Sequence, residues 1–314
     1  MTGFFWAIGQ TLCVVLLAPF LAGWVKWLKC RLQNRRGAPP WQPYRDLLRL
    51  SRKQVVLAES ASSIFRVAPY IVFSVTVLAI SIVPVVTVHL PLAALADVIA
   101  LVGFLALGRF FLSLAGMDVG TAFGGMGSSR EVTIASLAEP ALLMAFFTLA
   151  MNVSSTNLTT VISQLGQREL TLYPSLIFSS MGLILVAIAE TGRIPIDNPA
   201  THLELTMIHE AMILEYSGRH LALMEWAAML KLTLFSLLIV NIIVPWGVAL
   251  TLDPWDLAAS TVIVSAKLLL WGGVLAVSET IQAKMRLFRA PQYLGLAFIL
   301  TLLGMMSHII LEVQ

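Results

Sequence analysis

Long apolar runs alternate with short polar connections along the whole chain. Eight of these runs are close to the roughly 20 residues that an α-helix needs to cross the hydrocarbon core of a bilayer. A helix satisfies its own backbone hydrogen bonds, as a segment in lipid must. We therefore predict an all-α polytopic membrane protein with one transmembrane domain over residues 1–314 and spans at about 4–27, 67–89, 92–115, 131–152, 172–191, 226–250, 257–278 and 293–310.

Lysine and arginine are concentrated on alternate connections. The first connection, residues 28–66, and the end of the span before it hold half of the 20 Lys and Arg residues. Further cations on the same side, among them Arg109, lie at or near the connections predicted at 116–130, 192–225 and 279–292. The opposite side has Arg168 alone. This asymmetry agrees with the positive-inside rule, so we expect the basic side in the cytoplasm and both termini outside.

The composition makes one charged segment conspicuous. Hydrophobic residues are 58% and charged residues 12% of the chain, whereas about a quarter of the residues in soluble domains are charged. Within residues 187–231, however, six carboxylates accompany three cations. The six acids are Glu190, Asp197, Glu204, Glu210, Glu215 and Glu225.

This acidic segment is predicted to fold back into the bundle. Pro195 disfavours helical geometry at the residue before it, so the fifth span should end near Arg193. The pattern of residues 200–216 predicts a half-buried helix, which Gly218 ends. A broken segment at membrane depth is tolerated only where it lines a hydrated cavity or is covered by protein. We therefore expect a re-entrant acidic helix between spans five and six.

Glu139 is an acid that the pattern places deep in the membrane. It lies eight residues beyond Glu131, about 12 Å further along the fourth span, where an ionisable group is costly unless it is paired or hydrated. Glu131 needs no special role, because the helix dipole favours an acid in the first turn. We predict a proton path along acids reachable from one cytoplasmic entry, namely Glu139, Glu190, Glu204, Glu225 and Asp197. The alternative is a set of salt bridges that holds the re-entrant segment.

Lys267 is an isolated charge in the middle of the seventh span. It either partners one of the acids or continues the path toward an adjacent subunit, and the sequence does not separate these two roles.

Two connections are predicted to have defined structure. Residues 42–54 mix leucines with arginines and indicate an amphipathic helix for anionic head groups or a docked protein, unless this is a solvated basic loop. The glycines of residues 116–127 permit close backbone approach. Ser128 or Ser129 is expected to cap a helix that begins at Glu131.

The sequence carries no cofactor motif. Cys13 and Cys30 have no CxxC spacing, so neither a disulfide framework nor an iron–sulfur or zinc site is indicated. His202 and His209 lack the HExxH spacing of a metalloprotease. Topology explains the basic first loop without a nucleic-acid partner. Electron carriers are therefore expected only in partner proteins.

Several short motifs, in a fixed order, resemble those of a known family. They lie at residues 34–37, 44–46, 109–111, 116–120, 129–131, 139–140, 190–197 and 215–218. The chain resembles the membrane subunit of respiratory complex I called subunit 1 or H, and resembles more closely its counterparts in membrane-bound hydrogenases and formate hydrogenlyases. Ala200 and His202 stand where complex I carries further glutamates, and extra residues precede Glu215, which favours the hydrogenase branch.

The resemblance implies an anchor of the prokaryotic inner membrane that holds no cofactor itself. In the family this subunit lies under a small iron–sulfur subunit, beside a large catalytic subunit and next to antiporter-like membrane subunits. The iron–sulfur clusters and the nickel–iron centre then belong to those partners, and any quinone belongs to the interface. Glu139, Glu190, Glu204 and Glu225 match acids of the family's proton entry, and Arg193 and Asp197 match its loop. Residues expected at the surface that docks the redox arm are Arg35, Arg36, Arg45, Asp46, Asp118, Arg130, Arg193, Glu210 and Glu215.

The sequence thus predicts a non-catalytic membrane anchor and proton-coupling subunit of a [NiFe]-hydrogenase-like or formate-hydrogenlyase-like complex. One alternative is the quinone-chamber subunit of a quinone-reducing enzyme related to complex I. The other is an independent secondary transporter, for which inverted repeats are expected, and the two halves of the sequence show no such repeat.

Overall fold

A computed structural model describes residues 2–88, 95–167, 173–197, 207–249, 251 and 253–312. Its α-helices are α1 (Thr2–Leu32), α2 (Gln42–Ser51), α3 (Ser63–Ile82), α4 (Val98–Asp118), α5 (Ala122–Val153), α6 (Leu158–Gln167), α7 (Pro174–Glu190), α8 (His209–Ile213), α9 (Gly218–Ile243), α10 (Pro254–Ile281) and α11 (Ala290–Ser307). A 3-10 turn at Leu287–Arg289 precedes α11, and a π-helical turn at His308–Glu312 follows it. Over the described ranges the chain forms isolated bridges but no β-strand, so the predicted all-α class is confirmed.

The helices have the length and composition of membrane spans. Within the described residues, seven are long and apolar enough to cross a bilayer, namely α1, α3, α4, α5, α9, α10 and α11 with the turn after it. Helix α7 covers the fifth predicted span and is apolar, but its 17 residues extend only about 25 Å. The polytopic membrane fold is thereby confirmed.

Four connections meet at one end of the bundle, which we call the basic face. They are the connections α1–α3, α4–α5, α7–α9 and α10–α11. Contacts between them include the Ser217 hydroxyl with the Val56 backbone, the Ser60 hydroxyl with the Val119 carbonyl and the Met285 amide with the Pro195 carbonyl. The connections that were predicted on one side of the membrane therefore contact one another.

Helix α5 begins earlier than the sequence indicated. The Thr121 hydroxyl caps it by accepting a hydrogen bond from the Gly124 amide, so the predicted start at Glu131 with a cap at Ser128 or Ser129 is wrong. The glycines explain the difference, because α5 packs directly on the end of α4. A Cβ atom at Gly124 would lie 2.1 Å from the Gly116 carbonyl oxygen, and one at Gly127 would lie 3.0 Å from the Ile208 carbonyl oxygen.

The chain reverses after α1 and returns along the same helix. Helix α1 extends to Leu32, and the Pro40 carbonyl lies so close to Gly23 that a Cβ atom there would be 1.9 Å from its oxygen. The Tyr44 hydroxyl donates to the Leu16 carbonyl, which fixes the start of α2 against α1. The amphipathic helix predicted in residues 42–54 is present as α2, with Leu47 buried and Arg45 exposed.

Helix α9 forms the centre of the bundle. In its most apolar stretch of 18 residues, 72% is buried inside the bundle. The corresponding value is 22% for the helix that begins at Ala290. Around it, α7 and α11 approach closely at small residues. A Cβ atom at Gly182 would lie 3.1 Å from the Ala297 carbonyl oxygen, which is the close backbone packing typical of membrane helices.

The predicted re-entrant helix lies partly outside the described residues. Residues 198–206, which include Glu204 and His202, are not described, and residues 207–216 contain only the short α8. This segment is covered by protein, since Tyr216 stacks on Phe65 with ring centroids 4.0 Å apart. The re-entrant helix between spans five and six stays a prediction.

Candidate functional site

A cavity of about 80 Å³ lies between α3, α4, α5, α7, α8 and α9. A cavity needs roughly 10–15 Å³ to hold a water molecule, so this one has room for several. Its walls are mainly apolar, but six ionisable side chains reach it, namely Arg109, Glu131, Glu190, Asp197, His209 and Lys231.

Arg109 joins two of the acids that the sequence singled out. It lies on α4, about 13 Å from the end of that helix at the basic face, and is only 6% exposed. Its Nη1 contacts Glu190 Oε1, and its Nη2 lies 2.7 Å from Glu139 Oε1. One guanidinium therefore binds a carboxylate from α7 and another from α5.

Glu190 is held by a second cation as well. Lys231 on α9 places its Nζ 2.9 Å from Glu190 Oε2, and the Glu190 side chain is 1% exposed. Each carboxylate oxygen thus has a positive partner. Because opposite charges at this distance favour the ionised form of a carboxyl, the buried Glu190 is held as an anion.

Asp197 reaches the same cavity from the loop after α7. The Lys284 ammonium lies 3.2 Å from its Oδ1, and the Ile208 amide donates to its Oδ2 over 3.3 Å. The Ile194–Pro195 peptide bond in this loop is cis, and the Pro195 carbonyl accepts from the Met285 amide at 2.9 Å. The loop is therefore fastened to the segment that follows α10.

Arg193 is turned inward rather than toward a partner. It pairs with Glu279 on α10, whose other carboxylate oxygen lies 2.8 Å from Lys29 Nζ on α1. Sequence analysis placed Arg193 at the docking surface and did not single out Glu279, although an acid at the end of an apolar span was a visible signal.

Glu131 is a residue that sequence analysis dismissed. Because α5 begins at Ala122, Glu131 lies about 14 Å inside the helix and not in its first turn. It lines the cavity in the electrostatic field of Lys231, Glu190, Arg109 and Asp197. Its spacing of eight residues from Glu139, about 80° around a helix, was a signal that both acids face one side.

His209 begins α8 and also lines the cavity. Burial lowers the pKa of its imidazole. The negative charge of Glu210 opposes this shift, and the nearby Lys231 ammonium adds to it. The ring is therefore neutral at pH 7. Its Nε2 is buried without a hydrogen-bond partner, which is a position that water in the cavity would satisfy.

Two predicted path residues lie away from this cavity. Glu225 is half-buried on α9, in the field of Glu210 and of charges on α1 and α2, namely Asp46, Lys26 and Arg49. Lys267 donates to the carbonyls of Val244, at 2.6 Å, and of Trp246, just beyond the opposite end of α9. The structure thus brings together Glu139, Glu190 and Asp197, but neither Glu225 nor Lys267 joins them.

Four of the nine predicted docking residues, Arg193 among them, bind within the chain. Asp118 accepts hydrogen bonds from the Ser62 amide at 2.8 Å and the Ser62 hydroxyl at 2.6 Å. Arg130 donates to the Met207 carbonyl at 2.8 Å, and Asp46 lies 3.2 Å from Arg49 on the same helix. The docking residues left exposed at the basic face are Arg35, Arg36, Arg45 and Glu215, and Glu210 is half-buried.

The described residues contain no group of three or more His, Cys, Asp or Glu side chains arranged to hold a metal ion. Among the ionisable groups of the cavity, Arg109, Glu190 and Lys231 form ion pairs instead.

The fold and this site define a polytopic helical membrane protein with paired ionisable groups buried at membrane depth. The chain belongs to the NADH dehydrogenase family, whose sequence model matches residues 6–311.

Two curated relatives come from Escherichia coli (strain K12). Formate hydrogenlyase subunit 4 is 31% identical over 298 residues, which cover 95% of this chain and 96% of the relative. Hydrogenase-4 component C is 32% identical over 302 residues, which cover 95% of this chain and 93% of the relative. The predicted resemblance to the hydrogenase branch of the complex I subunit 1 family is confirmed.

A solved structure has the same fold. A chain of the membrane-bound sulfane sulfur reductase, an archaeal respiratory membrane complex, matches with a TM-score of 0.84 and 17% identity over 98% of this chain and 99% of that chain. Taken with the family and its relatives, the chain is a membrane subunit of a respiratory-type complex.

Proposed function

We propose that this chain is the membrane anchor and proton-coupling subunit of a [NiFe]-hydrogenase-like or formate-hydrogenlyase-like complex. The observation that carries the proposal is the ionic cluster in which Arg109 joins Glu139 and Glu190 beside a cavity large enough for water. Ionisable groups at membrane depth are costly, and they mark proton or ion pathways in membrane proteins. The two relatives named above place the chain in the hydrogenase branch.

The proposal assigns the redox chemistry to partner subunits. A small iron–sulfur subunit and a large catalytic subunit dock on the basic face, where Arg35, Arg36 and Arg45 are exposed, and antiporter-like subunits lie beside the bundle in the membrane. The iron–sulfur clusters and the nickel–iron centre belong to those partners. The subunit sits in a prokaryotic inner membrane with its basic face in the cytoplasm and both termini outside.

The cavity couples charge to proton movement through its electrostatics. In a region of low dielectric constant, a change of charge at a docked redox subunit alters the proton affinity of nearby carboxyls more strongly than it would in water. Water in the cavity carries the proton, and the charges of Glu139, Glu190 and Asp197 set the field in which it moves. Glu204, outside the described residues, is expected to extend the path.

The volume of the cavity favours water over quinone as its occupant. Small-molecule sites usually measure about 300–1,000 Å³, well above the about 80 Å³ found between these helices. The quinone-reducing alternative requires a chamber to which partner subunits contribute most of the wall. The alternative of an independent transporter predicts solute flux by the purified chain alone.

Turnover-linked proton translocation in inverted membrane vesicles tests the proposal. The Glu139→Gln variant should lower translocation while the complex stays assembled, because it removes one of the two carboxylates that Arg109 binds. A matched control is Asp253→Asn, which changes an exposed acid at the end of the bundle opposite the basic face and should leave translocation unchanged. Normal translocation in an assembled Glu139→Gln complex would reject the proton role.

A further inference from the structure

The charges that the described residues place around the cavity balance without Glu131. Arg109 and Lys231 provide two positive charges, and Glu139 and Glu190, which contact them, provide two negative ones. Asp197 is paired with Lys284. Among the described residues, Glu131 makes no ion pair or side-chain hydrogen bond, although it lines the cavity.

We propose that Glu131 is the carboxyl that exchanges a proton with water in the cavity, whereas Glu139 and Glu190 serve as counter-ions of Arg109 and Lys231. The inference rests on the proposed proton-coupling function and assigns the exchange step within it. In that step the Glu131 O–H bond breaks, the proton passes to a cavity water, and the carboxylate remains. The reverse step restores the acid.

The groups that face Glu131 act on its charge in opposite directions. Arg109 on α4 and Lys231 on α9 favour the ionised form, and the anions Glu190 on α7 and Asp197 in the following loop oppose it. A neutral His209 on α8 completes the wall. Protonated Glu131 leaves the cavity without net charge, and ionised Glu131 is attracted by cations that it does not contact. Glu190, which has a cation on each oxygen, has no comparable freedom.

The position of Glu131 also suits proton exchange. It lies eight residues before Glu139 on α5, about 12 Å nearer to the basic face. It is half-buried and lines the cavity, which has room for water. The buried and unpartnered Nε2 of His209 is a second group in the same cavity that requires water. The cavity therefore has both an unpaired acid and a second polar atom to hold the water.

The Glu131→Gln variant in the intact complex tests this assignment. Turnover-linked proton translocation should fall about a hundredfold, the lower end of what a positioned proton-transfer group contributes. Glu131→Asp keeps an exchangeable carboxyl and should restore much of the translocation with a changed pH dependence. Asp253→Asn, at the exposed end opposite the basic face, is the matched control and should behave as the parent.

Infrared difference spectroscopy on the assembled complex separates proton exchange from a structural role. The carbonyl band of a protonated carboxyl, with its shift in heavy water, should be absent in Glu131→Gln and present in Glu139→Gln. A band that persists in Glu131→Gln would overturn the assignment even if translocation is lost. Normal translocation in Glu131→Gln, with a loss in Glu139→Gln, would overturn the role of Glu131 and leave the proton-coupling function standing. Normal translocation in both variants would reject both proposals.

Discussion

At the scale of single residues, Arg109 determines which acids of the bundle act together. Its planar guanidinium presents several donors in a fixed fork, so one buried side chain binds carboxylates from two helices. A lysine offers only a single compact charge. Arginine at this position therefore sets the geometry of the cluster as well as its charge.

Replacing Arg109 should destabilise the fold. Arg109→Met leaves Glu139 without a cation and Glu190 with Lys231 alone, and breaking a buried ion pair from one side costs about 3–5 kcal/mol. The measurement is the free energy of unfolding in detergent. Arg45→Met, on the exposed side of α2, should change that free energy by less than about 0.5 kcal/mol. An equal loss of unfolding free energy in the two variants would contradict the role of Arg109 as the cation that binds both carboxylates.

The acids of the cluster could be predicted from the sequence, but their partner could not. Glu139 and Glu190 are conspicuous because carboxyls are rare in apolar runs. Arg109 was explained by the bias of cations toward one side of the membrane, since spacing alone does not show that it turns inward. Glu131 was assigned to a first helical turn because the true start of α5 depends on tertiary packing.

At the scale of elements, glycines decide where α4 ends and α5 begins. The sequence shows five glycines in residues 116–127, which indicates close approach but not which backbone they meet. The structure shows that Gly124 lies on the Gly116 carbonyl, whereas a Cβ atom at Gly125 has nothing within 4 Å. Neighbouring glycines of one helix therefore have different roles.

These two glycines provide a matched test. Gly124→Ala forces a Cβ atom to within 2.1 Å of a carbonyl oxygen, and overpacking of this kind costs typically about 1–3 kcal/mol. Gly125→Ala meets open space and should stabilise α5 by up to about 1 kcal/mol, because alanine is the better helix former. Thermal unfolding of both variants in detergent measures the difference. If Gly124→Ala is as stable as Gly125→Ala, the described contact between α4 and α5 is wrong.

Lys267, which binds near the opposite end of α9, is another residue whose contacts could not be predicted from the sequence. A lysine in an apolar span was predicted to pair with an acid or to extend a proton path. In the structure it binds carbonyls just beyond a helix C-terminus, an end that attracts cations because of its partial negative charge. Sequence spacing does not reveal that residues 244–246 approach the middle of α10.

At the scale of the whole molecule, the apolar pattern predicted the membrane fold because the bilayer fixes the length of a span. The cation bias predicts its orientation, which labelling of single cysteines tests. In a chain without Cys13 and Cys30, Arg36→Cys lies on the basic face and Thr251→Cys on an exposed turn at the opposite end. An impermeant maleimide should label Arg36→Cys only in inverted vesicles and Thr251→Cys only in spheroplasts. The reverse pattern would place the basic face outside.

The contact of Glu279 with Lys29 and Arg193 also bears on the order in which the protein is made. Lys29 meets its counter-charge 250 residues later in the chain. While synthesis is in progress, the earlier helices therefore carry uncompensated positive charge at the end that the positive-inside rule predicts in the cytoplasm. The charges of Lys29 and Arg193 are neutralised only when α10 inserts with Glu279. The positive-inside rule therefore acts on these charges before the ion pairs of the finished bundle form.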